Sequence, residues 1–239
     1  MHSSRVRSSG STQVVLPASK SSAFSKMLPI DKSVHITSSL TLAWLLISIP
    51  LVIWDCGFVL LRPWTMPGGA LHWPIWAPYE IYVRTDYIYG WKAIEENNGF
   101  TAAQGFMNIP ETMLYLYYLY VVYTQGVQPK SLSAGSKPSF LAERYVGGRA
   151  GALALTAVFT GAVMTLAKTV LYGLNEFFSG YSNVGHNDLS SLVSFWIIPN
   201  GAWLVATAIM AVAYGKEIVE RLSLAVPSSP EELSSVKND

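Results

Sequence analysis

The sequence predicts an all-α polytopic membrane protein, a four-transmembrane-helix bundle with an aromatic-rich luminal cap, and three observations predict it. Of 239 residues, 51% are hydrophobic and only 13% charged, and the mean hydropathy is positive. Four apolar runs each reach the roughly 20 residues a helix needs to cross a hydrocarbon core of about 30 Å. Between the first two runs, residues 62–100 are too rich in aromatics, Pro and Gly for a plain linker and read as a folded cap at the membrane surface.

Residues 1–34 are Ser-rich, carry Arg5, Arg7, Lys20 and Lys26, and hold no acid before Asp31. They superficially match a transit peptide but read as a disordered cytosolic tail, because such a composition buries no core. The transmembrane domain occupies 35–215, with spans near 37–61, 101–125, 150–174 and 191–214. Glu95 to Asn98 form a solvated turn before the second span, with Asn98 as its N-cap. Residues 128–140, rich in Pro, Ser, Gly and Lys, make a loop, and 216–239 form a C-terminal cytosolic tail. Most Lys and Arg residues fall in the tails and the 126–149 loop, so the positive-inside rule puts both termini in the cytosol and the cap and 175–190 loop in the lumen.

The net charge of +1 and the lack of zinc-type spacing, P-loop, GxGxxG or a basic stripe argue against nucleic acid, metal and cofactor. Cys56 lies in an apolar run and reads as packing. His72 and His186 fall in different segments and suggest no metal. No internal repeat is visible, which disfavours a transporter built from inverted halves.

Helical spacing sorts the polar residues onto stripes. Gln104, Asn108, Glu111, Tyr115 and Tyr118 share one face of the second span. Thr165, Lys168, Tyr172 and Glu176 or Asn175 do so on the third, Trp196, Asn200, Trp203 and Thr207 on the fourth, and Trp44, Ser48 and Asp55 more sparsely on the first. Polar groups at that depth cost a few kcal/mol unless they face a bundle interior or wet cavity, so converging stripes imply a shared internal pocket. The bland alternative is hydrogen-bonded glue between helices. Tyr117, Tyr120 and Tyr123, off the stripe, read as packing or interface anchors. Pro50, Pro110 and Pro199 lie near Asp55, Glu111 and Asn200, and each frees a carbonyl one turn earlier, at Leu46, Phe106 and Phe195.

The segments "WDCGFVLL", "PYEIYVRTDYIYG", "NNGFTAAQGFMNIPET", "KTVLYGLNE", "NVGH" and "FWIIPNGAWLV" stand in the order of the EXPERA fold. Over residues 37–215 the chain resembles that superfamily, which includes emopamil-binding protein, a sterol delta-8 to delta-7 isomerase, and the sigma-two receptor. By this resemblance Asp55 matches the first acid of the isomerase, Glu111 the Glu of its Met-Glu-Thr motif, and Asn200 and Trp203 its Asn-x-x-Trp pair. Tyr82, Asp86 and Tyr89 match a Tyr-x3-Asp-x2-Tyr pattern in the cap, and Tyr172 and Glu176 a Leu-Tyr and nearby Glu. His186 matches a Gly-His of the family loop, where it would help close the pocket mouth, although such a residue more often caps a turn. The departures are equally specific: Leu51 stands where the isomerase has a histidine, Thr169 where it has an acid, and its extra N-terminal span has no counterpart among the four runs.

The resemblance implies a lipophilic substrate that enters from the bilayer, is protonated at a double bond and passes through a cation. The residues support such chemistry on their own. A carboxyl group in low dielectric favours its neutral form, the state a general acid needs, and Asp55, Glu111, Lys168 and Asn200 are the expected catalytic set. Lys168 beside either acid would make that acid the base. A Schiff-base role for Lys168 is a minor alternative. Tyr82, Asp86, Tyr89, Gln104, Asn108, Tyr115, Tyr118, Tyr172, Glu176, Trp196 and Trp203 are expected to bind substrate, with the tryptophans facing a cation.

With the histidine gone and both acids kept, the expected activity is an isomerase or cyclase of the endoplasmic reticulum membrane, acting on a terpenoid- or polyketide-type metabolite. The alternatives are a non-catalytic sterol or cationic-amphiphile binder and a strict sterol isomerase, with a proton-coupled transporter third. Membrane lipids are the surrounding partners. Gly147, Gly148, Gly151 and Gly161 would admit the close approach of a second copy.

Overall fold

The computed structural model describes residues 34–128 and 139–225. The tail over 1–33, most of the 128–140 loop and residues 226–239 lie outside the described residues.

The described chain is predominantly helical. A two-residue strand β1, His35–Ile36, precedes α1, Ser39–Leu60. The 61–99 segment holds the short helices α2, Tyr79–Thr85, and α3, Trp91–Glu95. Then come α4, Phe100–Gln125, strand β2, Tyr145–Val146, and α5, Gly148–Phe178. One turn of α6, Leu189–Leu192, leads through a wide π-helical turn at Val193–Ile197 into α7, Ile198–Ala225. β1 and β2 pair antiparallel, His35 opposite Val146, and tie the start of α1 to the start of α5.

Three helical stretches, Ser39–Leu60, Gly148–Phe178 and Leu189–Leu224, are long and apolar enough to cross a membrane. α4 has the length, 26 residues, but Gln104, Asn108, Glu111 and its tyrosines dilute its hydropathy. The outer surface is that of a chain in lipid: Leu40, Leu46, Ile47 and Ile53 on α1, and Val205, Ile209 and Val212 on α7, are all exposed.

Helix ends differ from the sequence reading. α5 runs on to Phe178, and α7 runs on to Ala225, past residue 215 where the tail was expected. The chain continues helically through Pro50 and Pro110. Pro199 is absorbed differently: it cannot donate to Phe195, and the π-turn immediately before α7 takes up the missing bond. At the start of α4, Gly99 occupies the N-cap position while the Asn98 side chain accepts from Phe100 N at 3.0 Å.

Backbone packing runs α1 to α4 to α5 to α7, while α1 and α7 meet mainly through side chains. Small residues set the close approaches. A Cβ at Gly161 would stand 2.9 Å from the Tyr115 ring, and one at Gly105 would stand 3.1 Å from Val59. Gly151 lies against the Val146 carbonyl. Gly151 and Gly161 thus serve contacts within the chain, whereas Gly147 and Gly148 face open space.

The bundle is filled unequally along its length. Leu42, Leu45 and Ile49 of α1 pack with Tyr118 and Val122 of α4, Leu155 and Val158 of α5, and Met210 and Tyr214 of α7, forming a dry core at the β1–β2 end. A second cluster, Phe58, Val59, Met66 and Tyr79, seats the 61–99 segment on the other end of α1. There Phe58 and Tyr79 stack at 3.9 Å, and the indoles of Trp54 and Trp76 bond the Ile75 and Trp54 carbonyls at 2.9 and 3.1 Å. Between the two clusters the bundle is hollow.

Candidate functional site

The hollow is a cavity of about 540 Å³, within the roughly 300–1,000 Å³ usual for small-molecule sites. Its position follows from the stripes: Asp55 near the end of α1, Gln104 to Glu111 early in α4, Lys168 and Tyr172 late in α5, and Asn200 and Trp203 early in α7 all reach one level of the bundle. The lining is mostly apolar with a few convergent polar groups. Leu51, Ile81 and Phe195 line it and are themselves exposed. Further along, α1 and α7 are bridged by the Trp44–Trp203 edge contact at 5.2 Å and by Tyr214 donating to Thr41 at 2.7 Å.

The two acids sit in different electrostatic company. Lys168 Nζ lies 2.7 Å from Glu111 Oε1, with side-chain exposures of 16% and 4%, and it also donates to Asn108 Oδ1. Glu111 Oε2 accepts from the Thr165 hydroxyl at 2.8 Å, and Tyr115 lies 3.0 Å from the same Thr165 oxygen. A hydroxyl has one proton, so with Thr165 donating to Glu111, Tyr115 is the donor to Thr165. Gln104 donates to the Lys168 carbonyl at 3.2 Å, holding α4 to α5 at this level.

Asp55 has no ion-pair partner among the described residues. Its Oδ1 accepts from the Tyr79 hydroxyl at 2.7 Å. Of the two acids offered to Lys168 by the sequence, the structure pairs it with Glu111. Asn200 donates to the Trp196 carbonyl at 2.8 Å, which leaves its second amide N–H and its side-chain oxygen to the cavity.

The expected catalytic residues Asp55, Glu111, Lys168 and Asn200 all line the cavity, as do Tyr82, Tyr89, Gln104, Asn108, Tyr172 and Trp203. Five others lie elsewhere. Tyr115 is buried beneath the cavity against Gly161. Tyr118 lies a further turn away, in the dry core, beside His35. Glu176 accepts from the backbone of Asn183 and Val184 at 2.9 and 3.0 Å and from the Asn183 side chain at 2.8 Å, so it shapes the 179–187 turn.

Asp86 and Trp196 form a layer behind the site. Asp86 accepts from Ile88 N at 3.1 Å, from the Trp196 indole at 3.1 Å and from the Tyr172 hydroxyl. It thereby joins the 61–99 segment to α5 and the π-turn. Burial pushes the Asp86 carboxyl above its ordinary range, against the lowering effect of those hydrogen bonds. Burial likewise drives the Tyr79 and Tyr82 hydroxyls upward, so both stay protonated donors.

His186 is also outside the cavity, bonded to the Arg84 carbonyl at 2.8 Å and stacked on Tyr87. Tyr79, which no sequence argument selected, is the donor to Asp55. Its signal is faint, one aromatic in a segment full of them. Arg62 was also missed. It bonds the Ile88 carbonyl at 3.0 Å and Thr101 at 3.3 Å, fixing the 61–99 segment to the start of α4. Among the described residues no cluster of His, Cys, Asp and Glu is arranged to hold a metal ion. No family model, curated protein or solved structure matches the chain.

Proposed function

We propose that the protein is an integral membrane isomerase or cyclase that moves protons on a lipophilic terpenoid- or polyketide-type molecule through a cationic intermediate. The observation that carries this reading is the unequal pair of acids in one apolar cavity: Asp55 with only a tyrosine donor, and Glu111 held by Lys168 and Thr165. Two carboxyl groups placed in different surroundings are the usual division into acid and base.

Asp55 without a cation is cheapest as the neutral acid in such a site. It gives its proton to a substrate double bond, and the new carboxylate, steadied by Tyr79, faces the carbocation. Trp203 adds an aromatic face, worth up to about 2 kcal/mol to a desolvated cation. Glu111, paired with the Lys168 ammonium, takes the proton lost from a neighbouring carbon. The apolar outer faces of the helices around it favour entry from the bilayer, and the cavity volume suits a molecule of drug or sesquiterpenoid size better than a peptide.

The same reading takes α4 as a fourth span, tolerated because its polar face meets α5 and the cavity rather than lipid. It takes the 61–99 segment as a luminal cap and the endoplasmic reticulum as the membrane, with both termini cytosolic. It retains the resemblance to the EXPERA superfamily. Leu51 in the cavity lining, where the sterol isomerase has histidine, weighs against strict sterol isomerisation.

The test is metabolite profiling of a host that makes candidate precursors, with and without the protein, repeated in deuterated water. A new isomer or ring product carrying one solvent deuterium, lost in Asp55→Asn and Glu111→Gln proteins that still fold, is the expected result. A second reading, a binder of cationic amphiphiles, is favoured by the same unpaired Asp55. Tight, Asp55-dependent binding of an amine with no product from any precursor would establish it instead.

A further inference from the structure

The buried histidine at the β1–β2 end is satisfied within the chain: His35 meets Glu217 at 2.9 Å and the Tyr118 hydroxyl at 3.3 Å. The polar groups beneath the cavity are not. Where α1, α4, α5 and α7 come together, a separate void of about 10 Å³ is lined by Ser48 of α1, Glu111 and Thr112 of α4, Thr165 of α5, and Trp203 and Thr207 of α7. Glu111, Thr165 and Trp203 line the cavity as well, so they form the wall between the two spaces. Ser48 and Thr207 line the void alone.

A count of donors and acceptors around the void does not close within the chain. Ser48, Glu111 and Thr207 are all buried. Thr207 gives its one proton to the Trp203 carbonyl at 2.6 Å, so its oxygen has only acceptor capacity left. Glu111 Oε1, although 2.7 Å from Lys168 Nζ, has no aligned hydrogen-bond donor. Ser48 and Thr112 present the converse: among the described residues neither hydroxyl makes a hydrogen bond. Two donors and two acceptors left over are the complement of one water molecule, which accepts twice and donates twice. The volume is at the lower bound for one water, and voids that stay dry are lined by apolar groups.

We propose that this void is the binding site of a single water that bridges Ser48 and Thr207 to Glu111, completing the hydrogen bonds of the proposed base and joining α1 to α7 beside it. The site makes Ser48 a positioning residue: it stays out of the cavity and acts on Glu111 through the water. That role rests on the reading of Glu111 as the proton acceptor, whereas the water site itself does not. A hydroxyl turned back on its own helix, as that of Thr207 is, would satisfy Ser48 alone. It would leave Glu111 Oε1 without a donor, a costly state for a buried carboxyl oxygen.

The test uses the purified full chain in detergent and needs no substrate. A crystal or electron-microscopy map that resolves ordered waters is expected to hold one oxygen within hydrogen-bond distance of Ser48 Oγ, Thr207 Oγ1 and Glu111. Ser48→Val, whose methyls fill the void, is expected to lose it. The infrared bands of the Glu111 carboxyl group, identified by their absence from Glu111→Gln, report the hydrogen bonds it receives and are expected to shift in Ser48→Val. Ser48→Ala adds no bulk, so it folds even where valine does not, and is expected to shift them in the same sense. Thr156→Val, on the exposed side of α5, is expected to leave them unchanged. A map with no oxygen at that place, or Glu111 bands unaltered in both Ser48 variants, overturns the proposal. An ordered oxygen without any product in the metabolite test sinks the proposed chemistry and leaves the water site standing; product without the oxygen does the reverse.

Discussion

Replacing Lys168 by methionine is the most informative single perturbation, because it separates the electrostatic role of the pair from its shape. Methionine keeps most of the side-chain volume and removes the ammonium. The Glu111 carboxylate is then left with Thr165 alone, in a site where its side chain is 4% exposed. Breaking a buried ion pair on one side typically costs about 3–5 kcal/mol. The 16% exposure of Lys168 and the retained Thr165 bond argue for the lower end, about 3 kcal/mol. At about 2–4 °C per kcal/mol for a chain of this size, the melting temperature should fall by about 6–12 °C. Glu111→Gln alone should also destabilise, since it strands the ammonium. The double variant Glu111→Gln/Lys168→Met should recover most of the loss, giving a coupling of about 2 kcal/mol or more in a double-mutant cycle. Thermal unfolding in detergent at neutral pH measures all three. A Lys168→Met protein as stable as wild type, or singles that simply add, would show that the pair is not made and would remove the reason for assigning Glu111 as the base.

Four further outcomes follow. Trp203→Leu should lower turnover about tenfold or more while binding of a neutral substrate analogue changes little, because an aromatic face acts on the cation; equal loss in both would make Trp203 a wall only. Gly161→Ala should cost about 1–3 kcal/mol by pressing a methyl into the Tyr115 ring, with Gly148→Ala, in open space but at φ +58°, a poorer control than Gly173→Ala, whose Cβ would meet nothing. Tyr79→Phe should impair turnover more than stability, since it removes the donor to Asp55 but keeps the ring stacked on Phe58; unchanged turnover would argue against Asp55 as the acid. For Asp86, the folded-state value is raised by burial, so the folded protein holds the proton more tightly than the unfolded one. Its contribution is complete below the unfolded value and is lost as pH rises through the folded value. Stability should therefore decline as pH climbs above about 4, and Asp86→Asn should flatten that part of the curve; an unaltered slope would refute the assignment.

Periodicity located the cavity because one stripe residue from each helix suffices to mark a level in an antiparallel bundle. Asp55, Glu111, Lys168 and Asn200 are far apart in sequence, yet each is polar where its neighbours are apolar, and only a shared interior makes that affordable. The same logic overran at both ends. Tyr118 continues the Gln104–Tyr115 stripe, but the helix has by then left the cavity and entered the dry core. Glu176 continues the α5 stripe past the cavity into a turn whose amides it satisfies. A stripe records that a face is inward; it does not record where along the axis the hollow stops. Tyr79 and Arg62 were invisible for a different reason. Both come from the 61–99 segment, whose irregular turns have no period to read, and their roles depend on where that segment folds back onto α1 and α4. His35 lies just outside the first apolar run, where a lone histidine beside a tail gives no hint that Glu217 will meet it.

The choice of partner for Lys168 fixes the charge balance of the whole site. In the reaction proposed above, with Glu111 paired to the ammonium, a neutral Asp55 would leave the cavity with no net charge before the proton moves. Proton donation creates a carboxylate and a carbocation together, so the charges again cancel. Deprotonation by Glu111 removes the carbocation and at the same time leaves Lys168 as the cation facing the Asp55 carboxylate. At no stage does the low-dielectric cavity hold an uncompensated charge, which is the costly condition there. Had Lys168 paired with Asp55, protonating the substrate from Glu111 would pass through the same count with the two roles exchanged. The observed pairing leaves Asp55, the proposed acid, beside the Tyr79 donor. It places Glu111, the proposed base, beside Lys168, Thr165 and Tyr115. Under the proposed chemistry, the assignment of Asp55 as acid and Glu111 as base rests on which acid the lysine holds.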